Sequence, residues 1–212
     1  MSERGARIFA IGDTHGCAAE LKELLGKIDP QTGDTVVFLG DYIDRGPDSK
    51  GVVDTVRAYN PQGVNVVVLA GNHEDMMCKV HADRNLWDWW LRNGGDATLE
   101  SYGGVIPTEV LQWALMLPVS YKLDGYFFVH AGVDPDVSID AQEKGALLWI
   151  RSKFLASKKD FGVRVIHGHT PNDNPEVRPN RINVDTACVY GEKLTCVVLG
   201  AGEPTFIQVK AA

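Results

Sequence analysis

The chain has 212 residues, of which 44% are hydrophobic and 23% charged, enough for one domain with a buried core and too balanced for a disordered or fibrous protein. A formal charge of −7 argues against a general nucleic-acid binder, because phosphate backbones are neutralised by clustered Lys and Arg. No apolar stretch is long enough to span a membrane, and the N-terminal MSERGARIFA lacks the apolar core of a signal peptide. The four cysteines, Cys17, Cys78, Cys188 and Cys196, lack CxxC spacing and read as reduced, buried and inert thiols of a cytoplasmic protein.

In chain order, RIFAI (7–11) predicts a strand that ends at Gly12-Asp13-Thr14-His15-Gly16. Apolar residues at 18, 21, 24, 25 and 28 then predict a helix over 17–28. TVVFL (35–39) predicts a second strand, ending at Gly40-Asp41-Tyr42-Ile43-Asp44-Arg45-Gly46, and Pro47 and Asp48 open a helix to about Tyr59. VNVVVLA (64–70) predicts a third, ending at Gly71-Asn72-His73-Glu74-Asp75, with a helix from Asp75. Strand, polar loop, helix, three times over, implies neighbouring parallel strands covered by helices. Ligands of such sheets sit beyond the carboxyl ends of the strands, where all three polar loops fall.

The segment 85–104 is rich in Trp and Gly and predicts a helical cap, and TEVLQWALML (108–117) a helix stopped by Pro118. Trp87, Trp89 and Trp90 read first as the core of that cap, with stacking on a nucleobase or peptide side chain as the alternative. Further strands are expected at YFFVH (126–130), VRVIH (163–167), RINVD (181–185), LTCVVLG (194–200) and TFIQV (205–209), and their close spacing suggests antiparallel pairing. With no linker or repeat, one domain is expected over 1–212, with residues 85–120 as the cap.

Two of the later strands also end in histidine and glycine, at His130-Ala131-Gly132 and His167-Gly168-His169-Thr170. Imidazoles, carboxylates and an amide suit Mn, Fe or Zn and not Ca, which prefers all-oxygen cages. Without Cys in these loops, a closed structural zinc site is disfavoured. His81 has no motif partner and reads as structural. Asp48 and Asp75 read as helix caps, and Asp134, Asp136 and Asp185 first as turn or cap residues, with extension of the site as the alternative.

GDTHG, GDYIDRG, GNHE, HAG and HGHT, in this order over residues 12–170, resemble the five signature blocks of the PPP-type metallophosphatases. The short chain, GNHEDMM, the NGG after the Trp cluster and the closing VDTACVYGEKL are most similar to the small bacterial and phage lambda branch. The resemblance implies a mixed α/β fold, a four-layer β-sandwich of two mixed sheets flanked by helices, with a dimetal site at the strand ends. By resemblance, Asp13 and His15 bind the first of two divalent metals, Asp41 bridges both, and Asn72, His130 and His169 bind the second. Mn is the first choice, with Fe and Zn accepted. His167 stands where relatives often carry an apolar or small residue and reads as a buried neighbour of the site.

The same resemblance makes His73 the general acid, oriented by Asp44, and makes Arg45 and Arg151 (in LLWIRSKF, 147–154) phosphate clamps. A hydroxide shared by the metals would attack phosphorus directly. The implied activity is hydrolysis of phosphomonoesters on Ser/Thr phosphoproteins or peptides, extending to phosphotyrosine and small phosphoesters. No nucleic-acid or membrane partner is expected, and the chain is expected as a monomer or weak homo-oligomer. The alternative is a symmetrical bis(5'-nucleosyl)-tetraphosphatase, which uses similar blocks. A non-catalytic binding module is disfavoured because every matched ligand and the His73/Asp44 pair are intact.

Overall fold

Strand β1 (Ile8–Ile11) is buried along its whole length, and its side chains alternate between two cores. Ile8 and Ala10 face one cluster, Phe9 and Ile11 another. Only a central strand covered on both faces shows this, and it explains why RIFAI reads as a continuous apolar run. β1 pairs in parallel with β2 (Thr35–Phe38), and β2 with β3 (Asn65–Val68). The computed structural model describes residues 5–211, so the first four residues of the N-terminal segment lie outside it.

The helices follow the predicted rhythm: α1 (Ala18–Lys27), α2 (Ser49–Ala58) and α3 (Asn72–Ala82). Asp48 caps α2, its side chain accepting from the Gly51 backbone N–H. Helix α3 begins three residues earlier than predicted, at Asn72, which places Asn72 and His73 in its first turn. Gly71 is its N-cap and Glu74 stands at the third helical position. The Glu74 carboxylate accepts from Gly71 N, Asp41 N and Tyr42 N at 2.8–3.0 Å, so one buried side chain pins the ends of β2 and β3 together.

The cap contains α4 (Trp87–Trp90) and α5 (Asp96–Ser101), joined through a π-helical stretch kinked at Gly94, and then α6 (Thr108–Met116). Trp90 is fully buried, and Trp87 and Trp89 pack against the core around it, as the structural reading expected. His81 bonds the Met77 carbonyl and lies against Trp87 and Trp90.

The second sheet is β4 (Ser120–Leu123), β5 (Tyr126–Val129), β6 (Arg164–His167), β8 (Arg181–Asn183) and β7 (Glu176–Val177), in that spatial order. Here the expectation of antiparallel pairing fails, because β5, β6 and β8 are mutually parallel. Their connections are long: α7 (Lys144–Trp149) and α8 (Ser152–Leu155) lie between β5 and β6. Among the described strands, antiparallel pairing is found for β4 on β5, for β7 on β8, and in the first sheet for β9 (Lys193–Leu199) with both β10 (Thr205–Lys210) and β1.

The two sheets face each other across Ile8, Ala10, Val37, Leu39 and Val197 on one side and Phe128, Ile166 and Ile182 on the other. Helices α1–α3 cover the outer face of the first sheet, and Leu147 of α7 and Phe154 of α8 that of the second. This is the expected four-layer arrangement, and β1, β2, β3, β5 and β6 all run their carboxyl ends to one edge of it. No described helix is long and apolar enough to cross a membrane.

Candidate metal centre

Loops from both sheets meet at Asp41, three residues past the end of β2 in GDYIDRG. Its carboxylate is almost fully buried, with His15 Nε2 at 3.3 Å, His130 Nε2 at 3.4 Å and His73 Nε2 at 3.9 Å from Oδ2. The other oxygen, Oδ1, accepts the His73 backbone N–H at 3.0 Å. Burial by itself raises its pKa, but His130 and His73 outweigh that and hold the carboxyl well below the usual carboxylate range.

Two sets of three side chains bring potential ligand atoms within 4.8 Å of one another, His15/Asp41/His73 and Asp41/His130/His169, and Asp41 is common to both. Asn72, the amide of the expected second site, has its Oδ1 2.8 Å from His130 Nε2. Asp13 lies outside both sets. Its oxygens accept the His169 backbone N–H at 3.0 and 3.2 Å, and it lines the same cavity as His15 and His169. Burial, then the neighbouring Asp185, pushes Asp13 well above the usual range, the opposite of Asp41.

The backbone is unusual where these side chains are presented. His15, Asp41, Asp44, Arg45 and His169 all adopt positive φ, from 41° to 73°. Non-glycine residues in that region carry strain on the order of 1–3 kcal/mol each, and such strain clusters at functional sites. The glycines beside them serve close approach: a Cβ on Gly71 would collide with the Asp41 carboxylate, and one on Gly168 with that of Asp13.

The ring nitrogens are sorted by backbone partners. His15 Nδ1 bonds the Ile43 carbonyl at 2.8 Å and His130 Nδ1 the Leu39 carbonyl at 3.0 Å, so both rings turn Nε2 towards Asp41. Arg45 donates to His15 Nε2 at 2.6 Å and Arg151 to His169 Nε2 at 3.0 Å. Burial and the nearby His130 lower the His169 pKa to about 2, which keeps it a neutral lone-pair donor. Burial opposes charge on His130 as well, but the Asp41 carboxylate prevails and raises it to about 9. With Nδ1 committed to Leu39, His130 Nε2 can meet the Asn72 oxygen only through a proton or a shared cation. Lone pairs and carboxylates that converge on one small volume, with guanidinium groups and a proton as the cations at hand, fit bound divalent metals.

His73 and Asp44 form a separate pair. His73 Nδ1 is 2.6 Å from Asp44 Oδ2, and Asp44 also accepts from Trp90 Nε1 at 2.9 Å and Thr98 Oγ1 at 2.6 Å. Trp90 and Thr98 thereby dock the cap onto GDYIDRG, together with Gly94, whose carbonyl accepts the Arg45 backbone N–H at 3.0 Å. That backbone bond fixes the cap at its kink, directly beside the strained Arg45. Sequence spacing gives no sign of these three contacts, since their partners lie some fifty residues away.

Asp185 fits both of its readings: it accepts the Ala187 N–H, as a turn residue would, and it lines the site cavity beside Asp13. Asp75 serves two lysines, Lys79 and Lys144, and Asp134 and Asp136 pair with Lys153. His167 is buried against Phe154, its pKa lowered to about 3 by burial, and it takes no part in either ligand set.

The open part of the site is a cavity of about 80 Å³ bounded by Arg45, Arg151, Asp13, His15, His169 and Asp185. Carboxylate and imidazole donors that face two guanidinium groups across so small a space belong to metal-assisted phosphoester chemistry. Comparison with known proteins agrees: the model of the calcineurin-like phosphoesterase family matches residues 6–200, and the chain belongs to that family. Relatives include a symmetrical bis(5'-nucleosyl)-tetraphosphatase of Janthinobacterium sp. (strain Marseille), 34% identical over 280 residues covering 95% of each chain. They also include serine/threonine-protein phosphatase 1 of Salmonella typhimurium, 31% identical over 203 residues covering 89% of each. A solved structure assigned provisionally as a diadenosine tetraphosphatase superposes with a TM-score of 0.78 at 26% identity, covering 100% of this chain and 96% of that one.

The protonation of His130 carries a prediction. A group held at about 9 is protonated at neutral pH, so a metal that takes its lone pair must displace that proton. Adding Mn(II) to metal-free protein in weak buffer is expected to release protons, and apparent affinity is expected to rise from about pH 6 to about pH 8. Titration calorimetry in buffers of different ionisation enthalpy reads both. An affinity independent of pH would contradict the assignment of His130 as a ligand.

Proposed function

We propose that this chain is a dimetal-dependent phosphomonoesterase acting on phosphorylated side chains of proteins, serine and threonine first. The observation that carries this reading is the cavity of about 80 Å³ between Arg45 and Arg151. It has room for one phosphoryl group, and a relative named as a serine/threonine-protein phosphatase supports a protein as the bearer of that group.

In this reading Asp13, His15 and Asp41 would hold one metal, and Asp41, Asn72, His130 and His169 the other. Two such ions supply Lewis-acid charge and an activated water at neutral pH. Arg45 and Arg151, parked on His15 and His169, turn their N–H groups to the phosphoryl oxygens when substrate enters. His73 donates a proton from Nε2 to the departing oxygen. Asp44 accepts from Nδ1 and favours the charged ring, against the burial that lowers the His73 pKa. Trp90 and Thr98 keep the Asp44 carboxylate aimed at His73.

A second reading is hydrolysis of a dinucleoside tetraphosphate, the substrate class named for two of the similar proteins. The observation in its favour is aromatic. Trp149 is stacked on Trp89 at 5.9 Å and stands beside the His169 ring, and exposed Tyr190 lies over Arg45, so bases have surfaces to stack on at the rim.

One rate assay on Mn-loaded protein, with a chelator control, separates the two. Metal-dependent phosphate release from a phosphoserine peptide and an aryl phosphate, with diadenosine tetraphosphate untouched, is the expected result. Preferential cleavage of the dinucleotide would replace the first reading with the second. In the same assay, His73→Asn is expected to retain its metals and to lose about 10²- to 10⁴-fold in turnover on alkyl phosphates, and far less on aryl phosphates with good leaving groups. An equal loss on both would remove the general-acid role.

A further inference from the structure

The end of α8 and the segment after it, residues 155–158, meet the turn between β7 and β8, residues 178–181, around a cavity of about 420 Å³. It shares no lining residue with the cavity between Arg45 and Arg151. Hydrogen bonds within the protein hold its walls. Asn180 Nδ2 donates to the Ser157 and Lys159 carbonyls at 3.0 Å, and the Val165 N–H donates to the Asn180 carbonyl at 3.0 Å. Arg164 donates to the Arg178 carbonyl from Nε at 3.1 Å and from Nη2 at 2.7 Å. The cavity is therefore preformed, and its volume falls among those of small-molecule sites, roughly 300–1,000 Å³.

Three cationic side chains line it, Lys158, Arg178 and Arg181, together with the apolar Leu155, Ala156 and Pro179. One carboxylate, Glu176, serves both arginines: Oε1 accepts from Arg178 at 2.8 and 2.9 Å, and Oε2 from Arg181 Nη2 at 2.6 Å. Lys158 is exposed and makes no ion pair among the described residues. Three cations against one anion leave two positive charges at the cavity, in a chain whose formal charge is −7. Arg181 is only 5% exposed, its guanidinium lies over the Phe154 ring, and its Nε–H has no hydrogen-bond partner among the described residues. A buried charged donor without an acceptor is costly, and an anion in the cavity supplies one.

We propose that this cavity is a second ligand site, separate from the metal centre, for a small phosphomonoester with an apolar body. A carboxylate would answer one of the two spare charges, whereas a phosphomonoester dianion answers both, and guanidinium groups match its oxygens. Its phosphoryl group sits on Lys158, Arg178 and the Arg181 Nε–H. Its organic body lies against Leu155, Ala156 and Pro179, which a bare anion would leave uncovered. The site binds and does not hydrolyse, because both sets of potential metal ligands among the described residues lie at Asp41.

The test soaks crystals of the metal-loaded full-length protein in para-bromophenylphosphonate, whose C–P bond resists hydrolysis, and locates bromine by anomalous scattering. The expected result is a peak against Leu155, Ala156 and Pro179, in addition to any at the metal centre. In equilibrium dialysis, affinity of the second site for the same probe is expected to fall on the order of tenfold or more in Lys158→Glu and in Arg181→Met. Lys158→Glu, at an exposed position, is expected to keep its aryl phosphate turnover. Para-bromobenzoate has the same body with one charge, and inorganic phosphate has the charge without the body. Each is expected to bind there about tenfold more weakly than the probe, or weaker still. Bromine confined to the metal centre, an affinity that both variants leave unchanged, or either control binding as tightly as the probe would each overturn the proposal. Because the peak is located in space, its absence counts against this cavity alone and not against the reading of the metal centre.

Discussion

The burial of one carboxylate, that of Asp41, is the constraint from which the rest of the site follows. An anion taken out of water is tolerated only when positive charge and hydrogen-bond donors surround it. Three imidazoles supplied by three separate segments stand within 3.9 Å of its Oδ2, and a helix N-terminal amide takes its Oδ1. Such a meeting is possible because parallel strands of two sheets bring their carboxyl ends to one edge. The cost is local: five of the residues that present these groups sit at positive φ, and Glu74 is committed to holding the backbones of Gly71, Asp41 and Tyr42 in place.

Two buried carboxylates a short way apart are driven in opposite directions by their surroundings. Asp41 is held ionised by His130 and His73, while Asp13, facing Asp185, is pushed towards its neutral form. Paired groups split in this way mark functional sites. A divalent ion beside Asp13 would remove the penalty on its charge, which is a physical reason for the site to hold metal, and not protons, at neutral pH. The cap contributes through the chain from Trp90 and Thr98 to Asp44 and on to His73. Its tryptophans are thus both core and support, while the exposed face of Trp149 remains available to whatever carries the phosphate.

Much of this is legible in the sequence, because the five motif blocks are local and each ends an apolar run. The first three strands and helices, the convergence of the polar loops and the ligand candidates can all be read from them. Where expectation and structure differ, the causes are identifiable. Close spacing suggests antiparallel pairing for YFFVH, VRVIH and RINVD, yet a long segment that holds two helices separates YFFVH from VRVIH, the kind of connection that parallel neighbours need. Helix α3 starts at Asn72 and not Asp75 because a glycine N-cap with glutamate three residues on hides the boundary inside a polar run. The support of Asp44 by Trp90 and Thr98, and the place of Asp185 in the cavity, depend on contacts between distant segments that no spacing rule carries.

Anomalous diffraction from crystals soaked in Mn(II) tests the role of Asp41 most directly. The account predicts two peaks roughly 3.5–4 Å apart, both in contact with the Asp41 carboxylate, one beside His15 and the other beside His130 and His169. A single peak, or two peaks of which one does not touch Asp41, would contradict it.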